Sequence, residues 1–572
     1  MKLWRKSALI APAVIVAMTA AACGGSSDNN SGGSGGDTKQ GGQIVYGFET
    51  EFPANLFPYI ASGNSVATAY AEVRTLISPF KTHPDFTYKP DEDLVVGDPT
   101  SEITGGKQVV TYKLNPKAVW SDGQPIDAKD FNFTWRALKS SDPKNGGCAD
   151  IISTTGYDQI ANVEGADGDK TVTVTFAKPY SDWKSLFAPF LPAHIMDKTD
   201  PVANCAALKA GWPTANGIPV SSGPVSLDKA GIDPSKKILT LTRNPKWWGT
   251  PAKLDRIILQ GIGNDPGVSV NALRNNEVQV IYPQPQLDLV KNIKALEPTI
   301  TSKTNFGLSF EHLDFNTKDA LLAQLPVRQA IAYALDRADI VAKTVGQFDN
   351  RAQVLNNRWL LNNQEGYEDT SGGQYNKPDV AKATSLLEGA GFTKGPDGIY
   401  QKGGKPLTIQ IQTTQGNPLR SNTIDVMTQQ LKAAGIQVKK FQNADIFESK
   451  AKPTSLEGGQ YQAALFAWVG GPNLSQNTSI YQSPDKGLGQ NYTRAGDPAV
   501  DKLMAELSTN PDTNAQLKLA NDIDRQLWKD LYTIPLYQKP TFLAYNSNYT
   551  GITENATNAG PLWEVEKWAQ KG

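Results

Sequence analysis

The side chains able to do covalent chemistry are few and widely spaced. His83, His194 and His312 lie more than a hundred residues apart from one another. No HExxH helix or His/Cys cluster with metal-ligand spacing occurs, so no metal site and no zinc hydrolase chemistry is expected. A GxSxG elbow is missing. The glycine-rich Gly398-Ile-Tyr-Gln-Lys-Gly403-Gly404-Lys405-Pro406 departs from P-loop spacing and puts Pro where a magnesium-binding Ser or Thr belongs. Gly261-Ile-Gly263-Asn-Asp-Pro266-Gly267 likewise misses the dinucleotide fingerprint. Acidic pairs such as Asp522/Asp524 and Glu564/Glu566 read as solvated faces. With no nucleophile, base or metal cluster, the chain reads as a binder without catalytic residues or cofactor, not an enzyme.

Charge excludes another class. Across 572 residues, 56 Lys+Arg stand against 57 Asp+Glu, a net of −1 that supplies no basic field for nucleic acid. The 39% hydrophobic and 20% charged content is that of a globular protein long enough for several domains. Lys2, Arg5 and Lys6 precede the apolar run Ala8 to Met18, and Thr19-Ala20-Ala21-Ala22 leads to Cys23, the order of an export signal over 1–22. Small residues ending at a cysteine resemble the bacterial lipobox, in which that sulfur carries a diacylglycerol, although Ala20 stands where Leu is favoured. Gly24 to Gly42 has almost no apolar side chain and reads as a flexible leash, 23–42, with a reach of roughly 20 to 26 Å. These features predict an extracytoplasmic protein lipid-anchored to the outer face of the cell membrane. Cys148 and Cys205 remain as an even pair in an oxidising compartment and are expected to form a disulfide.

The body must position whatever binds. Gln43 to Tyr59 (QIVYGFETEFPANLFPY) reads as an edge strand delivering a loop. Val109 to Leu114 and Thr171 to Phe176 alternate as strands. With the Ser121-Asp122-Gly123 turn and a helix headed by Asp127 they predict a compact α+β module. Pro326 to Val345 predicts one helix stopping at Gly346, and 378 to 390 another ending at Gly391. Leu407 to Thr413 and Ile436 to Phe441 alternate on either side of the helical stripe Ile424, Met427, Leu431, Ala434, which predicts a βαβ crossover and a parallel sheet. Ligand clefts of such sheets lie beyond the carboxyl ends of strands, here the loops after Thr413 (TQGNP) and after Trp468 (VGGPN).

Several segments resemble family 5 extracellular solute-binding proteins, the oligopeptide and dipeptide receptors of ABC importers. Ala118-Val-Trp-Ser-Asp-Gly-Gln-Pro-Ile-Asp-Ala-Lys-Asp130 is similar to the family's KWSDGxPxTAxDV signature, and Leu241-Thr-Arg-Asn-Pro-Lys-Trp-Trp-Gly249 to its LxRNPxYWG segment. Phe315-Asn-Thr with Val327-Arg-Gln-Ala-Ile-Ala-Tyr-Ala-Leu-Asp-Arg337 resembles FNT…VRQALxYAIDR; Asn491-Tyr-Thr and Asp497-Pro-Ala-Val-Asp-Lys502 complete the series. The resemblance implies an α/β, two-lobed periplasmic-binding-protein-like clamshell (type II, cluster C) with an extra α+β domain. By position, lobe I combines 43–77, 189–305 and 545–572, the added domain is 78–188, and lobe II is 306–544, with strands crossing near 305 and 544 as the hinge.

It further implies a monomeric receptor for a peptide-like solute that hands its ligand to membrane permease subunits, with no nucleic-acid partner. An envelope-assembly protein of the same fold recognising a glycolipid or a protein partner is the alternative. Asn64, Tyr282 and Gln284 are expected to line the cleft from lobe I. Gln415, Asn417, Trp468, Gly471 and Asn473 are expected to face them from lobe II, with Trp468 as an aromatic wall and Gly471 admitting ligand backbone. In the peptide-binding members an aspartate three residues after the strand-ending tryptophan pairs with the ligand's α-amino group. Gly471 takes its place here, which weakens recognition of a free N-terminus and leaves a longer peptide, a blocked peptide or a glycoconjugate open.

Overall fold

A mixed sheet runs through both halves of the molecule. Its strands follow the order Ile232–Asp233, Ile238–Arg243, Arg256–Gly261, Gln43–Phe48, Val280–Ile281, Thr533–Asn546, Ile300–Phe315, Ala463–Val469, Thr408–Thr414 and Gln437–Asn443, with Val225–Ser226 attached to Ile238–Arg243. This computed structural model describes residues 38–572 except 50–51, 199, 449 and 487–489. The expected signal segment 1–22, Cys23 and the leash up to residue 37 lie outside the described residues.

Two long strands join the lobes. Ile300–Phe315 and Thr533–Asn546 are antiparallel, paired from Ile300 with Asn546 to Phe306 with Pro540, then again from Phe310 with Gln538 to Asp314 with Thr533. Between Phe306 and Phe310 the register shifts. Gly307 is required there, because a Cβ would come within 2.3 Å of the Ala556 carbonyl. The first half of the pair belongs to one lobe, backed by helices Pro266–Arg274 and Leu287–Lys294 over a core of Val270, Leu273, Leu289, Ile293 and Phe542. The second half belongs to the other, where Leu325–Ala334, Val380–Gly389 and Pro418–Ala433 cover Leu313, Ile331, Ile411, Met427 and Leu465.

Thr408–Thr414 and Gln437–Asn443 run parallel on either side of helix Pro418–Ala433, the crossover that the periodicity predicts. The α+β module is a four-stranded antiparallel sheet in the order Thr100–Thr104, Lys107–Lys113, Thr171–Phe176, Ile160–Ala166, with helix Ala128–Leu138 upon it. Asp127 caps that helix in a capping box with Asp130, a device worth about 1 kcal/mol. Asp130 is buried, which pushes its carboxyl up to about 6 against hydrogen bonds from the backbone of Ala193 and Asp127 and from Trp120. The module's aromatic core, including Tyr112, Trp120, Phe131 and Phe187, is continuous with that of the first lobe. Cys148 and Cys205 are disulfide-bonded, their Cα atoms 5.0 Å apart and 57 positions apart in sequence. Closing such a loop stabilises by roughly 4 kcal/mol in the chain-entropy picture.

Four expectations need correction. Gln43–Phe48 is an interior strand, parallel to both Arg256–Gly261 and Val280–Ile281; Gly47 lets Ile262 and Val278 cover its second face, so the alternation that suggested an edge reflects only one side. The helix expected over 326–345 is two, Leu325–Ala334 and Arg337–Lys343. Leu335 turns extended, and Asp336 accepts from Asp339 N at 2.9 Å to cap the second. The helix expected from 378 begins at Val380 with Asp379 as its cap. The leash expected to reach 42 is docked by Thr38–Lys39, which pair with Ala569–Lys571, and by Gly41 N on the Lys253 carbonyl at 2.8 Å.

Candidate functional site

Strand ends from both lobes converge on one polar cluster. On the first lobe, Gln43–Phe48 ends at Glu49, and Val280–Ile281 runs into Tyr282, Pro283 and Gln284. Gln284 N donates to Glu49 Oε2 at 3.0 Å, tying the two loops together. On the second, the loop after Thr414 brings Asn417 to the head of the 16-residue helix Pro418–Ala433, where its Oδ1 accepts from Arg420 N at 3.1 Å. Its Nδ2 is then free to cross the boundary to Gln284 Oε1 at 3.4 Å. Lys539 Nζ, beside the break in the crossing strands, donates to the same oxygen at 3.3 Å. Beneath lies Glu311, fully buried, which accepts from Arg420 Nε at 2.5 Å and has Lys539 Nζ 3.9 Å away.

Burial sets the charges of this cluster. It pushes Glu49 up to about 7, against the Gln284 amide and the field of Lys539. It pushes Lys539 down to about 8, against the pull of Glu311. Burial also works against ionised Glu311, but Arg420 and Lys539 outweigh it and hold that carboxyl below its usual range. With Glu49 protonated, two cations face one carboxylate.

An aromatic stack adjoins the cluster. Trp468, near the end of Ala463–Val469, lies between His312 (centroids 5.9 Å, 11°) and Tyr492 (5.6 Å, 12°), with Phe466 edge-on at 5.2 Å. It is half-buried, and its indole Nε1 has no hydrogen-bond partner among the described residues. On the first lobe Tyr282 OH donates to Glu554 Oε1 at 2.9 Å, and burial raises Glu554. Gln284 Nε2 and Glu554 Oε2 are also buried without partners among the described residues. Buried polar atoms are ordinarily satisfied, and these three at the lobe boundary are among several such atoms spread through the described residues, Glu72, Arg337 and Trp568 included.

Of the residues expected to line the cleft, Gln284 and Asn417 meet each other across it. Asn473 accepts from Tyr88 OH of the added module. Asn64 is exposed and bonded to Ile60 of its own turn; Gln415 is exposed and bonded to the Asn443 carbonyl at 3.3 Å within its own lobe. Gly471 is covered by Gln476, whose Nε2 donates to its carbonyl at 2.8 Å. The tight backbone approach falls one residue earlier, where Gly470 N meets the Leu308 carbonyl at 2.6 Å. Glu49, Glu311, Arg420 and Lys539 escaped the sequence reading. Lys539 carries a legible signal: a lone cation inside the apolar strand TIPLYQKPTFLAYN.

Among the described residues, the grouping of His, Cys, Asp and Glu atoms close enough for a metal is Cys148, Asp150 and Cys205, whose two sulfurs are bonded to each other. No helix of the described residues is long and apolar enough to cross a membrane.

The chain is 29% identical over 512 residues to the oligopeptide-binding protein OppA of Mycobacterium tuberculosis, covering 87% of this chain and 80% of that one. It is 26% identical over 429 residues to the probable monoacyl phosphatidylinositol tetramannoside-binding protein LpqW of the same species, covering 69% and 63%. The solved periplasmic EDTA-binding protein EppA superposes with a TM-score of 0.85 at 25% identity, over 94% of this chain and 98% of that one. Proteins of this kind bind solutes and are not enzymes. A profile described as "Bacterial extracellular solute-binding proteins, family 5 Middle" matches residues 95–487, well over half of the chain, and the protein therefore belongs to the family 5 bacterial extracellular solute-binding proteins.

Proposed function

We propose that this protein is the solute receptor of an ABC importer, which encloses a peptide-like ligand between its lobes and presents the closed form to a membrane permease. The observation that carries this reading is the likeness to an oligopeptide-binding protein along most of the chain. The division into 43–77 with 189–305 and 545–572, 78–188 and 306–544 goes with it, except that Phe542, packed in the first lobe's core, moves the second crossing from 544 to the register break, where Phe306 pairs with Pro540. A lipid on Cys23 tethers the body outside the membrane.

Ligand contacts fall to Tyr282, Gln284, Asn417, Trp468 and Asn473, with the indole Nε1 and Gln284 Nε2 as donors for a ligand backbone. Gly471 leaves no carboxylate three residues beyond Trp468 for a free α-amine, which favours a longer or blocked peptide. The surplus cation at Lys539 suits a ligand carboxylate instead.

Native mass spectrometry of protein purified gently from its own host tests this. A ladder of peptide masses is expected, and a peptide pool about 100-fold above its Kd should add about 2.7 kcal/mol of stability. The absence of both a co-purifying peptide and any thermal stabilisation would refute it. The LpqW relative favours a second reading, a glycolipid-binding protein of envelope assembly. A glycolipid mass in the same spectrum, and normal peptide uptake in a deletion strain, would select it.

A further inference from the structure

The added module does more than enlarge one lobe. Its hairpin, Phe80–Thr82 paired with Tyr88–Pro90, reaches the other lobe. Phe86, in the turn, has φ 63, a left-handed conformation that glycine adopts freely and a bulky residue rarely does. Its side chain packs against the cluster formed by Leu308, Phe310, Leu355 and Leu361, against which Trp468 also packs. Leu308 and Phe310 sit at the register break of the crossing strand. Two residues on, Tyr88 OH donates to Asn473 Oδ1. Nearly a hundred residues later in the same module, Asp182 Oδ2 accepts from both the amide (2.9 Å) and the hydroxyl of Ser475. Its neighbour Ser181 N donates to the Ser508 carbonyl at 3.0 Å.

The left-handed turn is held from within the hairpin, by Phe86 N on the His83 carbonyl and His83 N on the Thr87 carbonyl, both at 2.9 Å, and it presents the Phe86 side chain to the opposite lobe. We infer that module 78–188 is a clasp, and that Phe86 is a positioning residue for closure, a wedge seated against the hinge that holds the lobes together without contacting the ligand. These contacts exist only when the lobes meet. Opening would expose Phe86 and the Leu308 cluster together, so the wedge biases the equilibrium toward the closed state.

Spin labels at Glu102→Cys on the module and Lys394→Cys on the second lobe, both exposed positions, report lobe separation by pulsed dipolar spectroscopy on the intact chain without added ligand. A substantial short-distance population is expected. Phe86→Gly keeps the left-handed turn without strain, so the module retains its fold, and should lower the short-to-long ratio roughly tenfold, as expected for losing a partly buried aromatic side chain. Asp182→Ala, far from the hairpin in sequence, should shift the ratio the same way, with circular dichroism verifying that each variant is folded. Unchanged distributions in both folded variants would overturn the clasp, and so would a parent protein showing only the long distance. Unfolding in denaturant and refolding with the Cys148–Cys205 disulfide intact strips any co-purifying solute before labelling, so neither result depends on what the cleft binds.

Discussion

Two buried charge clusters in this protein use the same residue types to opposite ends. In the first lobe Arg74, 2% exposed, bonds Asp91 at 3.0 Å through Nη1 and both oxygens of Glu566 at 3.1 Å through Nε and Nη2, while Lys81 reaches Asp91 at 3.3 Å. Burial opposes the guanidinium charge, yet Asp91 and Glu566 hold Arg74 above its ordinary value. In the cleft, Lys539 has contacts at only 3.3 and 3.9 Å, and both it and Glu49 are pushed toward neutrality. A saturated cluster locks segments distant in sequence, whereas a loosely satisfied one at a boundary between lobes keeps groups that change protonation near neutral pH.

The sharpest way to break this contrast is Arg74→Leu. It leaves nearly buried Glu566 without its cation and fully buried Asp91 with Lys81 alone, and urea denaturation should show a loss of about 3–5 kcal/mol. A loss below about 1 kcal/mol would erase the distinction. Glu49→Gln comes next, and its sign follows from linkage. The folded value of about 7 stands above the ordinary 4.5, so the native chain holds a proton that the unfolded chain has released. The stability due to this group therefore falls as pH rises from about 4.5 to about 7 and is level above. Glu49→Gln should raise stability by about 2–3 kcal/mol at pH 8 and leave it unchanged at pH 4. Equal effects at both pH values would place Glu49 in an ordinary aqueous setting.

Local chemistry made much of the second lobe readable. The stripe Ile424, Met427, Leu431 with Gly435 behind it, and alternation on either side, predict a helix between parallel strands because each pattern is buried on one face. Asp127 announces its helix through the acidic residue three positions later. The same signal stands at Asp336 and Asp339, but the continuous stripe from Val327 to Ala338 masked it, and two helices read as one. Gln43–Phe48 read as an edge because its covering elements arrive from more than two hundred residues away. The loops after Thr413 and Trp468 were legible as leaving strand ends from strand direction alone, and Asn417 and Asn473 within them reach Gln284 and Tyr88. Glu49, Glu311 and Arg420 were not, since their meaning arises from burial and from partners in another lobe.

Lys539→Met provides the finest test, because it removes a buried cation, as Arg74→Leu does, with the opposite expectation. Methionine preserves most of the apolar stem. Glu311 keeps Arg420, and Gln284 Oε1 keeps Asn417, so no carboxylate is abandoned. The folded value of Lys539, about 8 against an ordinary 10.5, means that the charged amine is disfavoured by folding below that range, and that its contribution to stability rises as pH climbs from about 8 to 10.5. Stability at pH 7 should thus change by no more than about 1 kcal/mol, or increase. Lys539 also draws Glu49 downward, so without it Glu49 should titrate above about 7, a shift that carbon-detected NMR of the side-chain carboxyl can follow. A loss as large as that of Arg74→Leu, with Glu49 titrating as before, would mean that Lys539 is as firmly paired as Arg74 and that the cleft cluster is a structural lock.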